Sequence, residues 1–200
     1  MNFPTVWPWP NNWHMDSFYP RTRWARSIAR APLVLWRLGL GPVIGRLMLV
    51  LTTTGRKSGL PRQAMVEYHM FNGRKYAPSG FGAQAQYYQN IMVNPYVTIQ
   101  TAAGTERAIA ARVTDDEELL AVFEQIKRDD PAFLLNSYFR SLGIEPTNED
   151  ILAHKDRIYL LRFDPVEEKT PPGLEVDLAW LWPVVLAGLV GFWWIQSRFK

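Results

Sequence analysis

Residues 48–71 read MLVLTTTGRKSGLPRQAMVEYHMF, and this stretch decides the predicted fold. Met48–Thr54 is rich in apolar and β-branched side chains, which predicts a buried strand. Pro61–Phe71 predicts a second strand, and the glycine-flanked residues between the two strands predict a turn. The following Asn72-Gly73 is a strong type I′ hairpin signal, so Arg74–Ser79 predicts a third strand.

The rest of the chain is predicted to complete a small, mainly β domain with helices. Tyr96–Thr101 and Glu106–Val113 alternate as strands, and Arg157–Phe163 closes the domain as the sixth. Helices are predicted over Ala83–Val93 and Pro131–Leu142, with another in the acidic stretch between them. This order lacks a regular β–α alternation, which argues against a doubly wound parallel sheet and favours a small antiparallel barrel.

The two ends are predicted to lie outside a barrel domain that covers residues 48–165. Leu178–Ser197 has no charge and has Trp near both of its ends, which predicts a C-terminal transmembrane helix. Residues 166–177 predict a linker, and residues 1–47 predict a basic and aromatic helical extension. Because the N-terminus lacks the pattern of a signal peptide, the sequence predicts a single-pass membrane anchor with the folded domain in the cytoplasm. The lipid bilayer is therefore a predicted partner.

Charge and composition limit the classes of function. The first 113 residues carry 13 basic and 3 acidic side chains, whereas the last 87 carry 9 basic and 16 acidic ones. A basic half indicates an anionic partner, and the absence of any nucleic-acid-binding motif favours phospholipid or a phosphate- or carboxylate-bearing ligand over nucleic acid. The absence of cysteine excludes a disulfide scaffold, and the three scattered histidines predict no metal site.

The turn between the first two strands carries the sharpest functional signal. Arg56, Lys57 and Arg62 crowd there with Ser58, and the two glycines are suited to turning backbone N–H groups toward one point. Such a turn suits a phosphate or a carboxylate. It is not a P-loop, because the G-x-x-x-x-G-K-[ST] pattern is absent and no helix follows. A solvated hairpin is the alternative that these residues leave open.

Two motifs resemble one family of enzymes. Leu51–Arg62 (LTTTGRKSGLPR) closely resembles a signature of the deazaflavin-dependent nitroreductase family, and Gln86–Pro95 (QYYQNIMVNP) resembles its Trp-Tyr-x-Asn-Leu-x-x-Asn-Pro helix. Members are split β-barrel oxidoreductases that use reduced coenzyme F420, and many of them reduce quinones. The resemblance covers residues 45–165 and implies a fold like that of the FMN-binding split barrels.

The resemblance also implies roles for individual residues. The contacts with the phosphate and glutamyl tail of the cofactor would come from Arg56, Lys57, Ser58 and Arg62. The remaining cofactor-binding residues would be Ser79 near the deazaflavin ring and Tyr87, Tyr88 and Asn90 on the flanking helix.

A proton donor for the reaction is predicted at Tyr138, because a tyrosine hydroxyl can donate a proton after hydride transfer. The alternative is a tyrosine that only packs in the core. Glu67 and His69 alternate on the second strand and are expected to share a face, with His69 in a structural role.

The sequence thus predicts a membrane-tethered oxidoreductase that transfers hydride from reduced F420 to a quinone or another lipophilic or nitro acceptor. One alternative keeps the barrel but binds FMN. The other is a non-catalytic membrane module that binds anionic lipid through its basic face. The sequence predicts no oligomeric state.

Overall fold

The computed structural model of the 200-residue chain describes residues 31–129, 138–139, 142–184, 187 and 190. Three parts of the predictions therefore lie outside the described residues. They are the first 30 residues of the N-terminal extension, most of the helix predicted over 131–142, and positions 185–186, 188–189 and 191–197 of the predicted membrane helix.

Within the described ranges, seven antiparallel strands form a single sheet. The strands are β1 (Met48–Thr54), β2 (Pro61–Glu67), β3 (His69–Phe71), β4 (Arg74–Pro78), β5 (Tyr96–Thr101), β6 (Gly104–Arg112) and β7 (Leu160–Pro165). They lie in the order β2-β1-β5-β6-β7-β4-β3. The sheet carries short helices, so the prediction of a mainly β protein with helices is confirmed.

The following helical elements lie between and before the strands: a π-helical turn (Trp36–Leu40), α1 (Gly41–Ile44), a 3₁₀ turn (Gly82–Gln84), α2 (Gln86–Ile91), α3 (Asp116–Asp129), α4 (Asn148–Ala153) and a second 3₁₀ turn (Lys155–Arg157). Residues 31–35 and 181–184 are also helical. The helix predicted over Ala83–Val93 is thus a 3₁₀ turn followed by α2. The start of α3 is capped by Asp115, whose Oδ1 accepts a hydrogen bond of 2.8 Å from the Glu118 N–H.

The sheet curls because its two outer strands are joined by one residue. β2 and β3 lie at opposite ends of the strand order, yet only Tyr68 separates them along the chain. One residue of extended chain spans only about 3.3 Å, so the two edges approach each other at Tyr68, although β2 and β3 are not hydrogen-bonded neighbours in the sheet. Residues 61–71, predicted as one strand, are therefore two, since β2 pairs with β1 whereas β3 pairs with β4.

Two apolar clusters stabilise this arrangement. Inside the curled sheet, Leu49, Leu51, Ile99 and Phe163 are buried against Ile91 of α2. On the other side, the buried face of α3 packs on the sheet around Tyr76 and Leu160, and its side chains are Leu119, Val122, Phe123 and Ile126. Two neighbouring cavities, together called the cleft, lie beside β2: one is between β2 and α2, the other is between β2 and α3, and Tyr87 lines both.

The prediction of a transmembrane helix over 178–197 is wrong. No helix in the described part of the chain has both the length and the apolar character that crossing a bilayer requires. The start of this segment instead docks on protein, because the Trp182 indole N–H donates a 2.7 Å hydrogen bond to the Leu38 carbonyl. The single-pass anchor, the membrane location and the lipid bilayer as a partner lose their basis with it.

Residues 166–177, predicted as a linker, run along the sheet next to β5. The Thr98 hydroxyl bonds with the Thr170 hydroxyl and with the Pro171 carbonyl. The Gln100 side-chain amide bonds both the N–H and the C=O of Leu174, at 2.6 and 3.1 Å. The segment then reaches Asp177, which forms two hydrogen bonds of 2.6 and 2.7 Å with Arg37.

Candidate functional site

The loop between β1 and β2 is a tight turn held by its own backbone. The N–H groups of Ser58 and Gly59 both donate to the Gly55 carbonyl, and the Gly55 N–H donates to the Leu60 carbonyl. Gly59 has a positive φ of 68°, and a Cβ at Gly55 would lie 2.9 Å from the Ser58 hydroxyl. The turn therefore favours glycine at both positions. These N–H groups point into the turn, so any anion bound here must be held mainly by side chains.

Arg56 is fastened to helix α2. Its guanidinium donates hydrogen bonds to the side-chain oxygens of Gln86 at 3.2 Å, Asn90 at 3.1 Å and Gln89. Its backbone N–H donates to the same Asn90 oxygen at 3.2 Å. The buried Asn90 amide in turn donates to the Thr53 hydroxyl at 3.0 Å. This network fixes the position of the loop against α2 while it leaves the charge of Arg56 unpaired by any acid among the described residues that line the cleft.

The two glutamines in this network were not predicted as site residues. Gln86, Gln89 and Asn90 are spaced i, i+3 and i+4, so they lie on one face of α2. That spacing was the available sequence signal for a polar face on α2. It does not reveal which group the face binds, because the Arg56 side chain comes from a loop 30 residues earlier in the chain.

The outer part of the loop forms the basic end of the cleft. Lys57, Ser58 and Arg62 are exposed and line a cavity of about 410 Å³. The Ser58 hydroxyl accepts hydrogen bonds of 3.4 Å from Arg62 and from the Leu60 N–H. Among the described residues that line this end, three are cationic and none is acidic. The arrangement can therefore attract and hold a phosphate or a carboxylate.

Tyr87 of α2 lies where the basic end meets a second, more apolar cavity. It lines both cavities, and its hydroxyl donates a 3.0 Å hydrogen bond to the buried Ser79 hydroxyl. Ser79 donates in turn to the Gly82 carbonyl at 3.1 Å. Burial raises the pKa of Tyr87, although the Ser79 hydrogen bond partly counters the shift.

Tyr88, also predicted to bind the cofactor, points the other way. It is 6% exposed, packs in the apolar cluster inside the sheet, and meets the ring of Tyr159 edge-on at 5.1 Å between centroids. Neighbouring residues on a helix point about 100° apart, so Tyr87 and Tyr88 cannot both face the cleft. The structure thus brings together the predicted loop residues, Ser79, Tyr87 and Asn90, but it places Tyr88 in the core.

The second cavity has a volume of about 270 Å³ and forms the apolar end of the cleft. The apolar side chains on its walls are Met65, Val66, Pro78, Phe81, Phe123 and Ile126. The polar side chains there are Glu67, His69, Tyr87 and Tyr138. The ring of Tyr138 stacks on Phe123 at 6.3 Å between centroids. Burial is the largest cause that raises the pKa of Tyr138, and the nearby Tyr87 adds to the shift.

The cleft can therefore accept an elongated ligand with an anionic arm at one end and a flat apolar group at the other. Its basic end offers charge and hydrogen-bond donors, whereas its apolar end offers a mostly apolar wall. In the described parts of the chain, no group of acidic or histidine side chains could hold a metal ion.

Comparisons with known proteins bear on this cleft. The sequence matches, over residues 39–138, the family described as F420H(2)-dependent quinone reductase. No curated protein matches the chain.

Solved structures resemble the chain at low identity. An F420-H2-dependent reductase (FDR-A) is 20% identical, with a TM-score of 0.40 over 60% of this chain and 95% of that one. The heme storage protein HutZ from Vibrio cholerae is 18% identical, with a TM-score of 0.42 over 73% and 96%. General Stress Protein 26 from Bacillus anthracis is 15% identical, with a TM-score of 0.40 over 66% and 88%. These likenesses are too distant to carry a functional argument.

The family match spans half of the chain and includes the cationic loop, Ser79, helix α2 and Tyr138. The chain therefore belongs to the F420H(2)-dependent quinone reductase family.

Proposed function

We propose that this F420-dependent oxidoreductase transfers hydride from reduced F420 to a quinone that binds at the apolar end of the cleft. The observation that carries the proposal is that the cationic and the apolar cavity are neighbours, with Tyr87 as a wall residue of both. An elongated cofactor with its acidic arm on the cationic loop would then have its ring beside the place where a lipophilic acceptor would lie.

The residues at the basic end fit the acidic arm of F420. Lys57, Ser58 and Arg62 are exposed toward the cavity, so their donors are available to a phosphate or a carboxylate. Arg56 contributes positive charge, while its N–H groups are already bound to the amides of α2. Its proposed role is therefore to hold the loop and to add to the field, and Lys57 and Arg62 provide the direct contacts.

The residues beyond Tyr87 fit a flat ring and an acceptor. When it is bound, reduced F420 supplies the hydride, and the protein has to orient the reactants and exclude water. Phe81 and Phe123 provide apolar walls for this purpose. Because burial raises the pKa of the Tyr138 hydroxyl, this group keeps its proton near neutral pH and can donate a hydrogen bond to an oxygen of the acceptor.

A quinone suits this cavity better than a polar acceptor does. Most side chains on the wall are apolar, and a quinone is a flat, largely apolar ring that carries two oxygen atoms. An aromatic nitro compound has the same combination of a flat ring and oxygen atoms, and it is the second candidate acceptor.

The test is a reaction of the purified chain with reduced F420 and menadione, followed through the absorbance of oxidised F420. We expect turnover with menadione, and a weaker reaction when Lys57 and Arg62 are both replaced by Ala. Turnover of an aromatic nitro compound without turnover of menadione would contradict the quinone. Purification of the chain with tightly bound FMN, and no binding of F420, would favour the FMN alternative.

A further inference from the structure

The apolar cavity contains an ionisable pair that binding and orientation do not require. His69 at the start of β3 is 9% exposed, and Glu67 at the end of β2 is exposed. Both residues line the cavity together with Tyr87 and Tyr138. A histidine and a carboxylate in a mostly apolar wall call for a chemical explanation.

The bend between β2 and β3 turns both side chains into the cavity. Tyr68, the residue between them, points the other way, and its hydroxyl donates a 3.1 Å hydrogen bond to the Gly45 carbonyl. Its N–H donates to the Leu47 carbonyl at 3.4 Å. Since side chains alternate along extended chain, fixing Tyr68 on one face places Glu67 and His69 on the other.

The titratable groups around His69 come from four elements. They are Glu67 on β2, Tyr76 directly opposite on β4, Tyr87 on α2 and Tyr138 near α3. The α3 residues on the wall, Phe123 and Ile126, are apolar. Tyr76 donates its proton in a 2.7 Å hydrogen bond to Glu118, outside the cavity wall.

The three tyrosines are poorly matched to proton transfer at neutral pH. Burial is the largest cause that raises the pKa of each of Tyr76, Tyr87 and Tyr138. A general acid works best when its pKa lies near the working pH, and imidazole is the side-chain group whose ordinary pKa meets that condition.

We propose that His69 is the proton donor to the acceptor, a role that rests on the proposed quinone reductase function. Reduction of a quinone to a hydroquinone adds two electrons and two hydrogens. The hydride from the cofactor, which is the species oxidised, brings both electrons and one hydrogen. The second quinone oxygen becomes an oxyanion. An N–H bond of the His69 imidazolium then breaks, and an O–H bond forms at that oxygen.

Glu67 completes the proton path. After the transfer, His69 is a neutral imidazole in a nearly buried position and must regain a proton from solvent. Glu67 lines the same cavity and is exposed to solvent, so its carboxyl group can take a proton from water and pass it inward.

The first test is binding of menadione to the full-length chain, followed by NMR of its histidine side chains. The chain has three histidines, so single His→Gln variants assign the signals. We expect menadione to shift the His69 signals and to leave those of His154 unchanged, since His154 lies on the end of α4 beside Asp150. Binding of menadione without a change in the His69 signals would overturn the proposal. The shifts are measured on the unaltered chain, and the variants serve only to assign its signals.

The second test is the pH dependence of menadione reduction in a single turnover. In the unaltered chain the rate should depend on pH, because the donor has to carry the proton that it transfers. His69→Gln should be slower by about 10²-fold, without that dependence on pH and with F420 affinity retained. His154→Gln is the matched control and should behave like the unaltered chain. Absence of menadione reduction in the unaltered chain would refute the proposed function itself. Reduction that is unaffected by His69→Gln would refute the proton donor alone.

Discussion

Arg56 and Lys57 are adjacent cations, yet their replacement by Ala should affect different properties of the protein. Arg56 donates hydrogen bonds to three amide side chains of α2, whereas Lys57 is exposed on the outer side of the loop. Arg56→Ala should therefore lower the free energy of unfolding, and Lys57→Ala should lower only the affinity for the cofactor.

The magnitude follows from the two Arg56 hydrogen bonds that are partly buried, those to Asn90 and Gln89. Each hydrogen bond to a charged group contributes about 1.5 kcal/mol, so Arg56→Ala should lower the free energy of unfolding by about 3 kcal/mol. For a chain of this size the melting temperature should fall by roughly 6–12 °C. Lys57→Ala, a surface change, should stay within about 0.5 kcal/mol of the unaltered protein.

The assay is thermal and urea unfolding of the variants, followed by circular dichroism. Arg56→Lys provides a further control, because it keeps the charge but has all its donors on one nitrogen, whereas Arg56 spreads its bonds over two. The stability of Arg56→Lys should therefore resemble that of Arg56→Ala. Equal melting temperatures for the Arg56→Ala and Lys57→Ala variants would refute the reasoning, as would full rescue by Arg56→Lys.

Three other predictions test the site and the fold. Replacing Lys57 and Arg62 together by Ala should weaken F420 binding at least tenfold, which is equivalent to about 1.4 kcal/mol, and the effect should be smaller at high salt. Fluorescence titration measures this affinity, and an unchanged value would contradict the role of the loop. Burial and the hydrogen bond to Glu118 raise the pKa of Tyr76 to about 12 from 10.0. The protonated Tyr76 therefore makes its full contribution to the free energy of unfolding below pH 10, and this contribution should decline as pH rises toward 12. Tyr76→Phe should remove that decline in urea unfolding, and an identical pH profile would exclude Tyr76 as its source. Gln100→Ala should lower the free energy of unfolding by about 1–2 kcal/mol, because it releases residues 166–177 from the sheet, and it should speed proteolysis in that segment. An unchanged cleavage rate would show that other contacts hold the segment.

Local sequence pattern was sufficient for the strands whose signals are uninterrupted. Met48–Thr54 and Tyr96–Thr101 have the predicted bounds, because each is a run of β-forming residues that ends at a glycine or starts after a proline. The bend at Tyr68 was not predictable in this way. It arises because β2 and β3 pair with different strands, and pairing is a property of the folded chain.

The prediction of a membrane helix is wrong for a related reason. Twenty uncharged residues with Trp near both ends satisfy the requirements of a bilayer, but the same indole groups can also find partners in the protein. Trp182 does so with Leu38, a residue 144 positions earlier in the chain. Hydropathy alone does not reveal such a distant carbonyl.

The candidate site shows the same limit. The cationic loop could be proposed as an anion site from its composition, but composition does not distinguish a cation that is held by the protein from one that is available to a ligand. That distinction depends on α2, whose Gln86, Gln89 and Asn90 occupy the donors of Arg56 and leave Lys57 and Arg62 facing the cleft.

The single residue between β2 and β3 imposes a constraint on how this chain can evolve. An insertion or deletion of one residue at Tyr68 would reverse the alternation on one side of the bend, and either Glu67 or His69 would then turn away from the cavity. The hairpin at Asn72-Gly73 tolerates a change of length more readily, because it joins strands that are already neighbours. Among homologous sequences, the distance from the cationic loop to His69 should therefore be invariant, whereas the length of the hairpin should vary.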